Sequence, residues 1–154
     1  MTVRKIVSSL NRVLRQRSEL VPPDDITTGA LVKDMLDTMY AAGGVGLAAV
    51  QIGVLKRVVA VDLGGKDRPT PKIFINPEII EASGEEKIFR EGCLSLPGVM
   101  IDVARPQKVH VRFRSLEGEA CDLKADGLLA ICLQHEIDHL NGILITDRAT
   151  PERF

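Results

Sequence analysis

Asp126-Gly127-Leu128-Leu129-Ala130-Ile131-Cys132-Leu133-Gln134-His135-Glu136-Ile137-Asp138-His139-Leu140-Asn141-Gly142 is the stretch on which the reading of this chain turns. Its apolar residues, Leu128, Leu129, Ile131, Cys132, Leu133, Ile137 and Leu140, occupy most of a helical circumference. The spacing therefore predicts a helix over 127–140 that is buried on nearly every side, with Gly142 where a helix stop belongs. Inside it lies H-E-x-x-H. His135 and His139 are about 40° apart on the wheel and one turn apart along the axis, so both rings reach one metal ion. Glu136 falls on one flank of the pair and Asp138 on the other. Burying two imidazoles without partners costs on the order of 1–3 kcal/mol each, and ligation of a metal removes that cost. A carboxylate at Glu136 beside such a site is what hydrolysis needs.

Upstream, residues 25–42 place Ile26, Ala30, Leu31, Met35, Leu36 and Met39 at helical spacing. Thr27, Thr28 or an aspartate is available to cap the start, and Gly43 and Gly44 end the run. Residues 57–63 and 72–75 are β-branched runs bounded by Gly64, Gly65, Pro71 and Pro77, and read as strands. In 108–114, Val109, Val111 and Phe113 alternate with His110, Arg112 and Arg114, the pattern of a half-buried strand, and a return strand through Cys121 and Leu123 completes a hairpin around Gly118. One helix, several short strands and a last buried helix make an α+β domain whose mainly antiparallel short strands surround a central H-E-x-x-H helix.

The 154 residues, 45% hydrophobic, suffice for one substantial core, so residues 1–154 read as one catalytic domain. A formal net charge of -1 gives no basic excess for nucleic acid or an anionic membrane. Residues 1–20 contain no apolar run of signal-peptide length, and no stretch approaches a membrane span, so a cytoplasmic enzyme is expected. The three cysteines, Cys93, Cys121 and Cys132, include no C-x-x-C pair, which excludes a four-cysteine zinc site.

A catalytic metal needs a third protein ligand and keeps a fourth position open. Cys132 is on nearly the right face, but it stands about 10 Å along the axis from His139, and packing in the core is the usual fate of such a thiol. His110 sits on the polar face of its strand. Cys93 lies in Glu91-Gly92-Cys93-Leu94-Ser95, a loop-like stretch followed by Pro97-Gly98, and is the best candidate. Glu91 either accepts a hydrogen bond from the outer nitrogen of a ligating histidine or pairs with Arg105.

Three segments, Gly44-Val45-Gly46-Leu47-Ala48-Ala49-Val50-Gln51, Glu91-Gly92-Cys93-Leu94-Ser95 and Gln134-His135-Glu136-Ile137-Asp138-His139, resemble the signature motifs of the peptide deformylases in their order and spacing. The resemblance implies one divalent ion on Cys93, His135 and His139, Fe(II) in the cell, with zinc, nickel or cobalt able to replace it. It implies hydrolysis of the formyl group from N-formyl-methionyl nascent peptides, with Glu136 handling the proton. It further implies that Gln51 and the Leu94 backbone N–H stabilise the oxyanion, that Gly46 allows close backbone approach, and that the peptide lies extended near Val45, Gly46, Gly92 and Leu94. A monomer with at most transient ribosome contact is expected. The chain departs from its relatives in lacking their common proline near Ser8, Ser9, Leu10 and Asn11. Two other readings share part of the pattern. A metallopeptidase has H-E-x-x-H but draws its third ligand from downstream; a metal-stabilised binding module needs four protein ligands.

Overall fold

The computed structural model describes residues 2–150. Helix α1 (Thr28–Ala41) follows Asp25, whose carboxylate accepts the Thr27 N–H at 2.8 Å. The Thr27 side chain makes no cap bond, and the Asp25 contact is a turn that leads the chain into the helix. The helix ends where Gly43 takes a φ of 69° and the Gly44 N–H turns back to the Met39 carbonyl. Strands β1 (Gly46–Ala48), β2 (Val58–Val61) and β3 (Lys72–Ala82) follow, then β4 (Glu86–Cys93), β5 (Leu96–Pro106), β6 (Lys108–Arg114), β7 (Ala120–Asp126) and helix α2 (Gly127–Leu140). Among the described residues, five strands form an antiparallel sheet in the order β1-β2-β3-β6-β7, and β4 and β5 form a separate hairpin.

The sheet is covered on both faces. Val59, Val61, Phe74, Val109 and Val111 pack with Ala130, Leu133, Ile137 and Leu140 of α2. Val58, Ala60 and Ile75 pack with Leu31, Val32, Met35 and Met39 of α1. This is why β2 is apolar without alternation. The opposite side of α2 meets the hairpin, where the Gln134 amide donates to the Pro106 carbonyl at 2.9 Å. The helix is thus enclosed by strands. It stops at Gly142, where φ is 75° and an added Cβ would stand 2.5 Å from the Arg15 carbonyl oxygen. The buried Arg57 guanidinium donates to the Leu140 carbonyl and the Asn141 side chain, a cation set on the negative end of the helix.

Two expectations change. Strand β3 runs past Ile75 and through Pro77, because Asn76 adopts a φ of 52° and the register shifts between Ile75 and Glu78, so the proline sits in a bulge. Asn76 holds this bend by a two-way side-chain bridge to the Val21 backbone. The stretch Glu91-Gly92-Cys93 is not loop but the end of β4, with the turn at Leu94 and Ser95. The strand carries no apolar alternation because its outer part is solvated and held by main-chain pairing.

Asp62, buried just after β2, accepts hydrogen bonds from the Tyr40 hydroxyl, the Gly64 and Thr70 N–H groups and the Thr70 hydroxyl. Burial alone would raise its pKa, but these donors hold the carboxyl below the usual carboxylate range. A folded-state pKa below the unfolded one gives stability that is present above the ordinary aspartate range and is lost as pH falls through the folded value. Asp62→Asn is therefore expected to be less stable than the parent at pH 7, with the gap closing in acid. Urea unfolding of both proteins across pH checks this, and a gap that does not depend on pH rules it out.

No described helix is long and apolar enough to cross a membrane.

Candidate metal centre

The turn that ends β4 sets Cys93 against two successive turns of α2. The Cys93 sulfur and one ring nitrogen each from His135 and His139 lie within 4.8 Å of one another. Cys93 Sγ is 3.3 Å from His139 Nε2, and the two imidazole rings are edge to face with centroids 5.0 Å apart. His135 Nδ1 is engaged by Glu91 Oε1 at 3.1 Å, which turns its Nε2 toward the other two donors. Glu91 also pairs with Arg105, so both readings of that carboxylate describe its contacts. His110 lies outside the cluster. Cys132 is half-buried and lines a cavity rather than sitting wholly in the core.

The donor set fits a metal. A soft sulfur and two imidazoles suit several divalent ions, and the rings are nearly sealed from water. Burial, followed by repulsion from His135 and Arg105, pulls His139 down to about 3, which leaves a neutral ring. Burial works the same way on His135, but the charges of Glu136, Cys93 and Glu91 outweigh it and raise it to about 10. An ion must displace that proton, so uptake is favoured as pH rises.

Around these donors the site is closely built. Glu136 Oε1 is buried without a hydrogen-bond partner, 4.0 Å from His135 Nε2. Burial pushes its carboxyl up to about 7, with the like charges of Glu91 and Asp138 adding to the effect of burial and the cations His135 and Arg105 opposing it. A Cβ on Gly46 would stand 2.5 Å from Glu136 Oε2, so only glycine fits there without a shift of that carboxylate. Gln51 is fully buried. Its oxygen accepts the Ala48 N–H at 2.9 Å, and its Nε2 donates to Ser95 Oγ at 3.1 Å and lies 3.7 Å from Cys93 Sγ. The amide orientation is therefore set by contacts on both ends.

The donors open onto a cavity of about 650 Å³, lined by Val45, Gly46, Gln51, Gly92, Leu94 and Glu136 among others, with Leu128 and Ile131 on an apolar wall. The resemblance noted in the sequence implies that these polar and backbone groups share one site. It gives no role to Ser95, which holds Gln51, or to Asp138 and Arg148, which join Arg105 behind Glu91. Their signal was weak, because an isolated serine or surface arginine has no pattern.

Three donors with no fourth protein ligand among the described residues, and a carboxylate oxygen without a hydrogen-bond partner beside them, suit a working metal rather than a structural one. The fold and the site together define a metal-dependent hydrolase. The family model for polypeptide deformylase matches residues 3–154. A peptide deformylase of Agrobacterium fabrum is 45% identical over 148 residues, covering 96% of this chain and 87% of that protein, and one of Afipia carboxidovorans is 47% identical at 96% and 86% coverage. Among solved structures, a peptide deformylase from Legionella pneumophila superposes with a TM-score of 0.91 at 45% identity, covering 97% of this chain and 88% of that one. One from Thermotoga maritima gives 0.92 at 36% identity, with 98% and 100% covered. The chain belongs to the polypeptide deformylase family.

Proposed function

We propose that Cys93, His135 and His139 hold one divalent ion and that Glu136 moves the proton in the reaction of this family: hydrolytic removal of the formyl group from the N-terminal formyl-methionine of newly made proteins, with release of formate. The observation that carries this reading is the convergence of the three donors beside the unpartnered Glu136 oxygen at one end of an open cavity. When bound, the ion supplies polarisation of the formyl carbonyl and a water acidic enough to act near neutral pH. Iron(II) is the ion proposed for the cell, with zinc, nickel and cobalt as substitutes on the same donors.

Glu136 takes the proton of the attacking water and returns it to the leaving amine, a role suited to a buried carboxylate with an unpartnered oxygen 4.0 Å from His135 Nε2. Gln51 Nε2 donates to both Ser95 Oγ and Cys93 Sγ, and the hydrogen now on the sulfur is the one proposed to turn to the developing oxyanion, with the Leu94 N–H proposed as the other donor. The peptide lies extended along the backbone at Val45, Gly46, Gly92 and Leu94, with the methionine side chain against Leu128, Ile131 and Cys132. Residues 1–154 are taken as one catalytic unit, a cytoplasmic monomer that meets the ribosome only transiently. A metallopeptidase is not favoured, since the third donor is an upstream cysteine.

The ligand assignment is tested by metal content. Cys93→Ser is expected to lose its ion and Cys132→Ser to keep it; the reverse would displace Cys93 from the site. Formate release from formyl-Met-Ala-Ser, followed beside cleavage of its internal bonds, tests the reaction. Gln51→Leu is expected to fold, keep its metal and turn over about a hundredfold to a thousandfold more slowly, the usual cost of one lost oxyanion donor. Unchanged turnover would reduce Gln51 to a support for the Gly46 loop.

A further inference from the structure

Behind the cysteine and histidines runs a chain of charges that ends at the surface. Glu91 Oε1 is shared by His135 Nδ1 at 3.1 Å and Arg105 Nη2 at 2.9 Å. Arg105, its side chain 3% exposed, grips Glu91 with a second nitrogen and donates from Nη1 to Asp138 Oδ2 at 2.9 Å. Asp138 is in turn clasped by Arg148, from Nε at 2.5 Å and from Nη2 at 2.9 Å, one nitrogen to each carboxylate oxygen. Arg148 alone in this series is well exposed, at 44%. Two carboxylates, Glu91 and Asp138, face a single buried guanidinium, and Arg148 is the second cation that balances them.

The arginine is placed independently of the carboxylate it binds. Ala149 bridges Val103 of β5, and the Thr150 N–H and hydroxyl both donate to the Asp102 carbonyl, at 2.9 and 3.2 Å. Asp147 accepts the Leu144 N–H and pairs with Arg15. The backbone at 147–150 is thus laid along the strand that carries Arg105, so the Arg148 fork arrives over Asp138 already oriented.

We propose that Arg148 is a positioning residue for His135, acting through Asp138, Arg105 and Glu91 to hold the ring in the orientation a bound ion needs. Without it, Asp138 Oδ1 has no donor and the carboxylate depends on Arg105 alone. Arg105 is drawn toward Asp138, its two-point grip on Glu91 loosens, and Glu91 is freed to turn away from His135 Nδ1. Outer carboxylates fix the orientation and basicity of ligating histidines in this way, and a packed ionic network transmits the change because each member has few alternative partners. The inference rests on the reading of His135 as a ligand.

Zinc affinity of the full chain, measured by competition with a chromophoric chelator, tests it. Arg148→Met keeps the apolar stem and removes the fork, and is expected to bind zinc roughly tenfold more weakly, the low end of the loss seen when an outer partner is removed. Thr150→Val, which loosens the same segment without touching the charges, is expected to bind as the parent does. In the zinc-loaded protein the His135 Nδ1–H proton resonance should move in Arg148→Met and stay in Thr150→Val. Parental affinity and an unmoved resonance in Arg148→Met would overturn the proposal, as would an equal loss in Thr150→Val, which would make docking of the segment the cause. If the parent itself binds no zinc, the ligand assignment fails first and this inference with it.

Discussion

Glu136→Ala is expected to fold, take up its ion and turn over about 10²- to 10⁴-fold more slowly, the range that a positioned proton carrier contributes. The loss falls on chemistry rather than on structure for a local reason. Glu136 is 4% exposed, yet one of its oxygens makes no hydrogen bond, so truncation leaves no orphaned partner on that side. Metal content should not fall either, because Glu136 is not one of the three converging donors. Formate release from formyl-Met-Ala-Ser, read together with elemental analysis of the same sample, separates the two effects. Near-parental turnover in a metal-loaded Glu136→Ala protein would end the assignment of Glu136 as the proton carrier.

The second large effect is on stability. Arg105→Met removes a cation that touches both Glu91 and Asp138, leaving two buried carboxylates with Arg148 and His135 as their partners among the described residues. Removing one member of a buried ion network costs about 3–5 kcal/mol, because the other charge stays buried without compensation. At about 3 °C per kcal/mol for a chain of this size, the melting temperature should drop by roughly 10 °C. Urea unfolding of metal-free protein isolates the folding term from the loss of metal affinity that will accompany it. Adding Glu91→Gln to Arg105→Met should recover part of the stability, since the uncompensated charge goes with it. A cost under about 1 kcal/mol, the scale of an exposed pair, would mean that water reaches these carboxylates and the network is not a buried one.

Much of the fold is legible in the chain because the relevant constraints are local. The spacing of Leu31, Met35 and Met39, the strict alternation of Val109, Val111 and Phe113, and the glycine at position 142 each act over one or two turns of chain and leave a periodic or punctuated trace. The hairpin of β4 and β5 leaves no such trace. Most of the side chains in Glu86-Lys87-Ile88-Phe89-Arg90 are solvated, so their order carries no face, and the strand exists because its backbone pairs with residues 96–106. The run of β3 through Pro77 is hidden for a related reason, since the bulge that admits the proline depends on a bridge from Asn76 to Val21, more than fifty positions away.

By itself, the sequence determined the closeness of His135 to His139, the flank taken by Glu136, and the distance that sets Cys132 apart from His139, because helix pitch fixes distances between residues close in the chain. Only the tertiary structure decided what stands behind those residues. Gln51 is oriented by Ser95, Gly46 is reserved by the Glu136 carboxylate, and His135 is backed through Glu91, Arg105 and Asp138 by Arg148. These contacts join separate strands, loops and a helix, and a contact between distant segments has no spacing to read until packing brings its two ends together.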